Sequence, residues 1–244
     1  MRWTGRTAAA TMGAMLLLSA GLAAESPTWK AAGSVSFSEG DYGTGEKSRI
    51  VYAPVILRRN FPEGYVEGTL SAVRIANEGE DPASGMGDTL LRAGYHATEE
   101  ADWLPGVDLV AKIKVPTASE SNGLGTGALD GGGGAEAYKW LRYPWVGFLD
   151  AYLIFIGPSS RTDESVRWAG DIGVGRQTGD WFHSVFLDGR TAIRDGEDDF
   201  VATYYYGSYR ISRDWRGFGT LEAGLTDGAP DYAVSVGICR YIFN

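Results

Sequence analysis

The 244-residue sequence predicts an all-β fold: one closed, antiparallel, up-and-down transmembrane β-barrel of about twelve strands, behind a cleaved signal peptide. Three observations predict it. Beyond the first 25 residues no apolar run approaches the roughly 18 to 20 residues that a spanning helix needs. Segments rich in β-formers and alternating in polarity recur about a dozen times, where the 3.6-residue period of a helix does not. The connections between them alternate between tight and long, and the tryptophans gather at the tight ends.

The chain opens with Arg2 and Arg6, continues through the apolar stretch 8–22, and reaches the small residues Ala23 and Ala24 before turning polar at Glu25. Charged, apolar and small-residue zones in that order make a secretory signal. Cleavage after Ala23 or Ala24 divides the chain into a signal peptide, 1–24, and a barrel, 25–244. Without Arg2 and Arg6 there are 20 basic against 31 acidic residues, a net charge of −11 that argues against a nucleic-acid surface. Cys239 is the single cysteine, so no internal disulfide supports the fold. With 35 glycines and 12% aromatic residues, the composition suits glycine-kinked, aromatic-belted strands better than disorder.

The strands are read at 29–38, 49–59, 64–75, 88–98, 106–116, 128–141, 144–156, 166–177, 181–187, 200–210, 215–226 and 231–243. An even count puts both chain ends on one side. Connections after the even-numbered segments are tight (60–63, 99–105, 142–143, 178–180, 212–214). Those after the odd ones are mostly longer and acidic (39–48, 76–87, 117–127, 157–165, 188–199), with only 227–230 short. Short periplasmic turns and long outer loops are the pattern of an outer-membrane barrel, and a soluble sandwich has no reason to segregate its loops this way. Trp29, Trp103, Trp140, Trp145, Trp181 and Trp215 fall at or beside the periplasmic ends, joined by Phe61, Tyr65, Tyr143, Phe182 and Tyr241. Rings gathered at one level form a membrane-interface girdle, from which only Trp168 departs.

Alternation then assigns faces. In 106–116, Val107, Leu109, Ala111, Ile113 and Val115 turn to lipid, and Asp108, Lys112 and Lys114 to the lumen. In 145–156, Asp150 and Tyr152 oppose Leu149, Ala151 and Leu153. The same parity turns Glu67, Arg92, Arg167, Asp171, Arg216 and Glu222 inward, where ionised groups are less costly than on the lipid face. Five charges of each sign either close the lumen as a network or line a selective channel. The segment 128–141 is diluted by Gly131 to Gly134, which suggests a bend, a close backbone approach or an extended loop. At the carboxyl end Tyr241 and Phe243 resemble the aromatic last strand that barrel-assembly machinery uses. Val234, Val236 and Ile238 have the opposite parity, so either a bulge near Cys239 restores the facing or the register differs.

From Lys112 the chain reads Lys-Ile-Lys-Val-Pro116-Thr117, a short insert, then Gly123-Leu-Gly125-Thr126-Gly127-Ala-Leu-Asp130. Over about twenty residues this resembles the outer-membrane barrel family of meta-pathway phenol-degradation transporters, in which a strand ending Pro-Thr-Gly leads into a Gly-Leu-Gly-Thr-Gly loop. Ala118 stands where the family has Gly, and Asn244 ends the chain where the family has Phe. The resemblance implies a barrel that passes small, often aromatic or hydrophobic compounds, with no catalytic residues to transfer. Independently of it, Gly123, Gly125 and Gly127 permit positive φ, so the segment 117–134 either tucks inward and constricts the outer mouth or forms an ordinary hairpin. If it tucks, Lys112 and Lys114 below it are placed to attract anionic or polar-aromatic solutes.

Other chemistry is weaker. His183 and Ser184 are neighbours on a strand and so point to opposite faces, and His96 has no carboxylate of suitable facing visible in the sequence, so no catalytic residues are assigned. Two histidines and one cysteine, far apart, give no metal spacing, and Gly131 to Gly134 lacks the ending of a phosphate loop. No cofactor is expected. The acidic clusters Glu78, Glu80, Asp81 and Glu197, Asp198, Asp199 are solvated in outer loops or bridge divalent cations to lipopolysaccharide. The expected partners are outer-membrane lipid and lipopolysaccharide, the assembly machinery through the last strand, and a small solute, with no nucleic acid. A Gram-negative outer-membrane barrel passing small molecules heads the functional readings. A plugged structural or adhesive barrel with acidic loops and an outer-membrane hydrolase stay open beside it.

Overall fold

The computed structural model describes residues 27–243, so the signal peptide expected at 1–24 lies outside the described residues. The chain forms β1 (Trp29–Gly40), β2 (Ser48–Phe61), β3 (Gly64–Asn77), β4 (Ala83–Met86), β5 (Thr89–Thr98), β6 (Gly106–Val115) and β7 (Asp130–Arg142). It continues with β8 (Trp145–Phe155), β9 (Val166–Thr178), β10 (Trp181–Arg190), β11 (Phe200–Arg210), β12 (Trp215–Gly224) and β13 (Tyr232–Ile242). Apart from β4, which pairs with β3 alone so that β3 also meets β5, each strand pairs antiparallel with its chain neighbours, and β1 closes the sheet on β13, from Trp29↔Ile242 to Glu39↔Tyr232. Twelve strands therefore make a closed all-β wall without a free edge, as the alternation predicts.

The thirteenth strand, β4, was not foreseen. β5 pairs with β3 only between Gly64 and Thr69, and beyond Thr69 the edge of β3 away from β2 would be left unpaired. β4 folds back on it from the long-loop end, setting Ala72 opposite Met86 and Ile75 opposite Ala83, and so satisfies that stretch of backbone.

The faces follow the period of two. Val55 and Leu57 on β2, Leu70 on β3, Val185 and Leu187 on β10 and Val236 on β13 stand exposed on the outer surface. A soluble monomer rarely shows a contiguous apolar surface of this extent, whereas lipid requires it. The question of register in the last strand is settled by its pairing. β13 meets both β1 and β12 without a slip, so there is no bulge near Cys239. Val234, Val236 and Ile238 face outward, Cys239 and Tyr241 are buried inside, and Phe243 packs against the interior cluster.

The glycine run of β7 is strand, beginning at Asp130 rather than 128. A Cβ on Gly132 or Gly134 would lie 2.3 or 2.0 Å from the carbonyl oxygens of Leu153 and Ala151, so only glycine lets β7 approach β8 this closely. Two apolar clusters fill much of the interior. One, rich in aromatic rings, joins Phe148, Phe182, Phe186, Tyr206, Phe218 and Tyr241 along the β8–β13 side. The other joins Ile50, Tyr52, Val73 and Ile75 of β2 and β3 to Ala118 and Leu124 from the β6–β7 loop.

Candidate functional site

The second cluster exists because the β6–β7 loop turns inward. Gly123 and Gly127 sit at φ of +65° and +71°, which admits the tight reversals that bury Leu124 and Thr126. Gly125 has no room for a Cβ, which would meet Ala118 at 2.8 Å and the Asp88 carboxylate at 3.0 Å. Thr117, following Pro116, accepts from the Thr89 amide at 2.9 Å and donates to the Gly87 carbonyl at 3.0 Å, pinning the loop to the start of β5. Lys114 holds the other side. Its ammonium reaches Asp130 at 2.9 Å, Asp88 at 3.3 Å and the Thr126 hydroxyl at 2.6 Å, so it is an anchor for the loop and is not free to meet a solute.

Beneath the loop lies a cavity of about 190 Å³. Ile50, Tyr52, Val73 and Ile75 give it an apolar wall, and Arg92, Lys112, Asp171 and Arg190 give it a charged one. Lys112 lies 3.1 Å from the centre of the Tyr152 ring, a cation over an aromatic face, while Arg167 donates to the Thr191 carbonyl at 3.0 Å.

All ten charged residues read as inward lie on the inward parity of their strands, and the pairing shows how they are ordered. Asp108, Glu136, Asp150, Asp171 and Asp188 stand directly opposite one another across β6 to β10. A second row runs Lys112, Arg92, Glu67, Arg58 and Lys30 across β6, β5, β3, β2 and β1. Like charges in register repel, so the acidic row needs cations at hand. Arg92 donates to Glu136 and lies 3.6 Å from Glu67, Arg58 binds Glu67 at 2.7 Å, and Arg190 binds Asp188 at 2.7 Å. Tyr152 also donates to Glu136, and Arg92 to the Tyr65 hydroxyl at 3.1 Å. Glu222 on β12 stands opposite Tyr204 of the aromatic cluster, and Arg216 donates to Ser208 at 3.0 Å.

Sequence reasoning did not assign Lys30, Arg58, Glu136, Asp188 or Arg190 to this interior, yet all five are buried there. It also missed that His96 meets Asp108 at 2.7 Å. His183 and Ser184 do point apart. His183 faces outward, bonded to the Tyr205 hydroxyl at 2.6 Å, and Ser184 is buried inside.

Of the aromatic girdle, Trp145, Trp181 and Trp215 are exposed at the tight-turn ends, Trp29 is partly buried there, and Trp103 projects from the β5–β6 turn. Arg59, Arg176 and Arg240 lie over Trp29, Trp145 and Trp215 at 5.4, 5.2 and 5.4 Å. Trp140 departs from the expectation. It pairs with Val146, whose side chain is buried inside, and so shares the inward face and packs on the interior cluster. Trp145, next to Val146 on β8, takes the outward face by simple alternation, and the register slip between Trp140 and Arg142 sets it across from Arg142. Tyr65, Phe182 and Tyr241 are likewise interior, whereas Phe61 and Tyr143 are exposed.

No family model and no curated protein matches the chain. Solved structures do. The COG4313 outer membrane channel from Pseudomonas putida F1 superposes with a TM-score of 0.71 at 15% identity, covering 89% of this chain and 96% of that one. The translocator domain of the autotransporter NalP from Neisseria meningitidis gives 0.56 at 13%, covering 93% of each chain. The CymD monoaromatic hydrocarbon channel gives 0.54 at 10%, covering 98% and 96%. At these identities the likeness is one of fold, and that fold is the outer-membrane β-barrel.

Proposed function

We propose that this protein is a channel of the Gram-negative outer membrane that lets small molecules pass, with the loop 116–129 constricting its outer mouth. The observation that carries the proposal is the inward loop. Leu124 and Thr126 are buried inside a closed barrel, above a cavity that is apolar on one wall and charged on the other. Such a site suits a small ring bearing a polar group better than a sugar or a peptide. The resemblance of Pro116 to Asp130 to the phenol-degradation transporter motif and the fold shared with channels, one of them for monoaromatic hydrocarbons, support the same solute class. The exposed tryptophan and arginine pairs fit the periplasmic lipid interface, and the aromatic last strand fits recognition by the assembly machinery.

One set of observations favours a second reading. The ion pairs of Arg92, Glu67 and Glu136 and the aromatic cluster occupy much of the lumen, as a plugged structural barrel requires. Planar-bilayer recording of the refolded protein, together with uptake of phenol and of a similarly sized sugar into proteoliposomes, separates the two. A channel shows discrete conductance and admits phenol faster than protein-free vesicles do. Silence in both assays establishes the plugged barrel.

A further inference from the structure

The lumen near the tight-turn end has an imbalance that the ion pairs above do not absorb. Lys30, second residue of β1, is 3% exposed, and among the described residues its ammonium has no hydrogen-bond partner. Burying an ammonium without an acceptor is costly, and a folded chain tolerates it where something else completes the site. Its surroundings are cationic. Arg58 stands directly opposite it on β2, and Arg216 reaches the same region from β12, through Cys239 and Ala32 in register. Arg58, Glu67, Arg216 and the Cys239 thiol are the ionisable groups that act electrostatically on Lys30.

Acceptors are scarce. Glu67 is the one carboxylate among them, and it is already engaged by Arg58 and approached by Arg92. Arg216 is buried and, among the described residues, forms no ion pair, only its bond to the Ser208 hydroxyl. Three buried cations thus share one committed carboxylate, and the guanidinium of Arg216 presents more donors than Ser208 uses. The neighbouring walls are aromatic. The Tyr241 ring lies 5.7 Å from the Lys30 ammonium, and Tyr206 and Phe218 stack at 6.2 Å beside it within the same cluster.

A donor-rich, acceptor-poor cluster of buried side chains beside stacked rings is complementary to an anion carried on an aromatic ring. We infer that Lys30, Arg58 and Arg216 form an anion subsite at the periplasmic end of the lumen, and that the passage favours aromatic carboxylates over their neutral counterparts. The inference deepens the channel reading by naming the solute class. It places selection at Lys30 of β1 and Arg216 of β12 rather than at the lysine pair of β6 that the sequence points to.

Two measurements on the full mature chain test it. In detergent, benzoate and its neutral analogue benzamide are titrated calorimetrically into the parent, Lys30→Gln/Arg216→Gln and Lys30→Arg. Benzoate binds the parent at least about tenfold more tightly than benzamide does, the double variant loses that preference, and Lys30→Arg keeps it. In planar bilayers under a potassium chloride gradient, the parent's reversal potential lies toward the chloride equilibrium potential, and the double variant shifts it toward zero. Heat-modifiable gel mobility verifies that each variant is a folded barrel. Equal affinity of the parent for the two ligands, or an unchanged preference in the folded double variant, overturns the inference. Benzoate preference in a barrel that neither carries current nor admits phenol upholds the subsite and refutes the channel reading alone.

Discussion

Replacing Lys114 by alanine is the sharpest probe of the inward loop. One ammonium holds two carboxylates and a hydroxyl, Asp130 at 2.9 Å, Asp88 at 3.3 Å and Thr126 at 2.6 Å. The lysine side chain is 11% exposed and the two carboxylates 8% and 15%, so little solvent screens the cluster. Removing one partner of a buried ion pair costs about 3 to 5 kcal/mol, because the other charge is left without compensation. The small residual exposure argues for the lower figure. About 3 kcal/mol, placed on the loop rather than on the wall, shifts the balance between tucked and released loop by a factor of about a hundred. Asp88 and Asp130 then regain hydration by letting the segment lift, which withdraws Leu124 from Ile50 and Tyr52. The expected outcome is a larger and noisier single-channel conductance, with faster amide exchange confined to 116–129 and an unchanged urea midpoint for the barrel. An unaltered exchange rate in that segment would show that apolar packing of Leu124 alone holds the loop, and would refute the electrostatic argument.

Other substitutions test the wall and its interior. Val236 is 69% exposed near the middle of β13, so Val236→Arg sets a charge in the lipid and is expected to cost about 2 to 4 kcal/mol in urea titrations of vesicle-inserted protein, with Val236→Leu neutral. Glu136→Ala strands Arg92 and Tyr152, which both donate to that carboxylate, and should lower the same unfolding free energy by about 3 kcal/mol, with Glu136→Gln recovering part of it. Protein extracted from outer membranes should give an intact mass beginning at residue 24 or 25, and a mass including Met1 would refute export by a cleaved signal.

Much of the wall was legible because a strand with lipid on one side and a lumen on the other carries a clean period of two. β6 and β8 show it, and the parity of Lys112, Asp150 and Tyr152 could be read directly. Legibility failed where that period is diluted or cut short. Lys30 begins a strand of small residues with little outward apolar signal, and Glu136 follows four glycines that mask the start of β7. Asp188 and Arg190 lie beyond the point where the apolar pattern of β10 stops, although pairing with β9 and β11 carries the strand on to Arg190. Arg58 adjoins Arg59, and only the unbroken parity from Ile50 decides which of the two turns inward. Trp140 lies at the level of the girdle, but level along a strand does not fix facing, and the parity running unbroken from Glu136 turns it inward. The contacts of the loop with Asp88 and Thr89 join residues about thirty apart and leave no local trace in the sequence.

The seam between β1 and β13 has a consequence for how this chain can be rearranged. Trp29 stands opposite Ile242, so the first and last strands end at the same level on the same side as the tight turns. Topologically the barrel is a ring whose covalent break falls where one more tight turn would fit. A linker of a few residues from position 243 to position 28 should therefore leave the wall intact, and new ends can be opened at 62–63, where the β2–β3 turn occupies the same rim. Such a circular permutant moves the terminal strands to β2 and β3. Its assembly in cells would reveal whether insertion reads the aromatic residues of β13 themselves or only their place at the end of the chain.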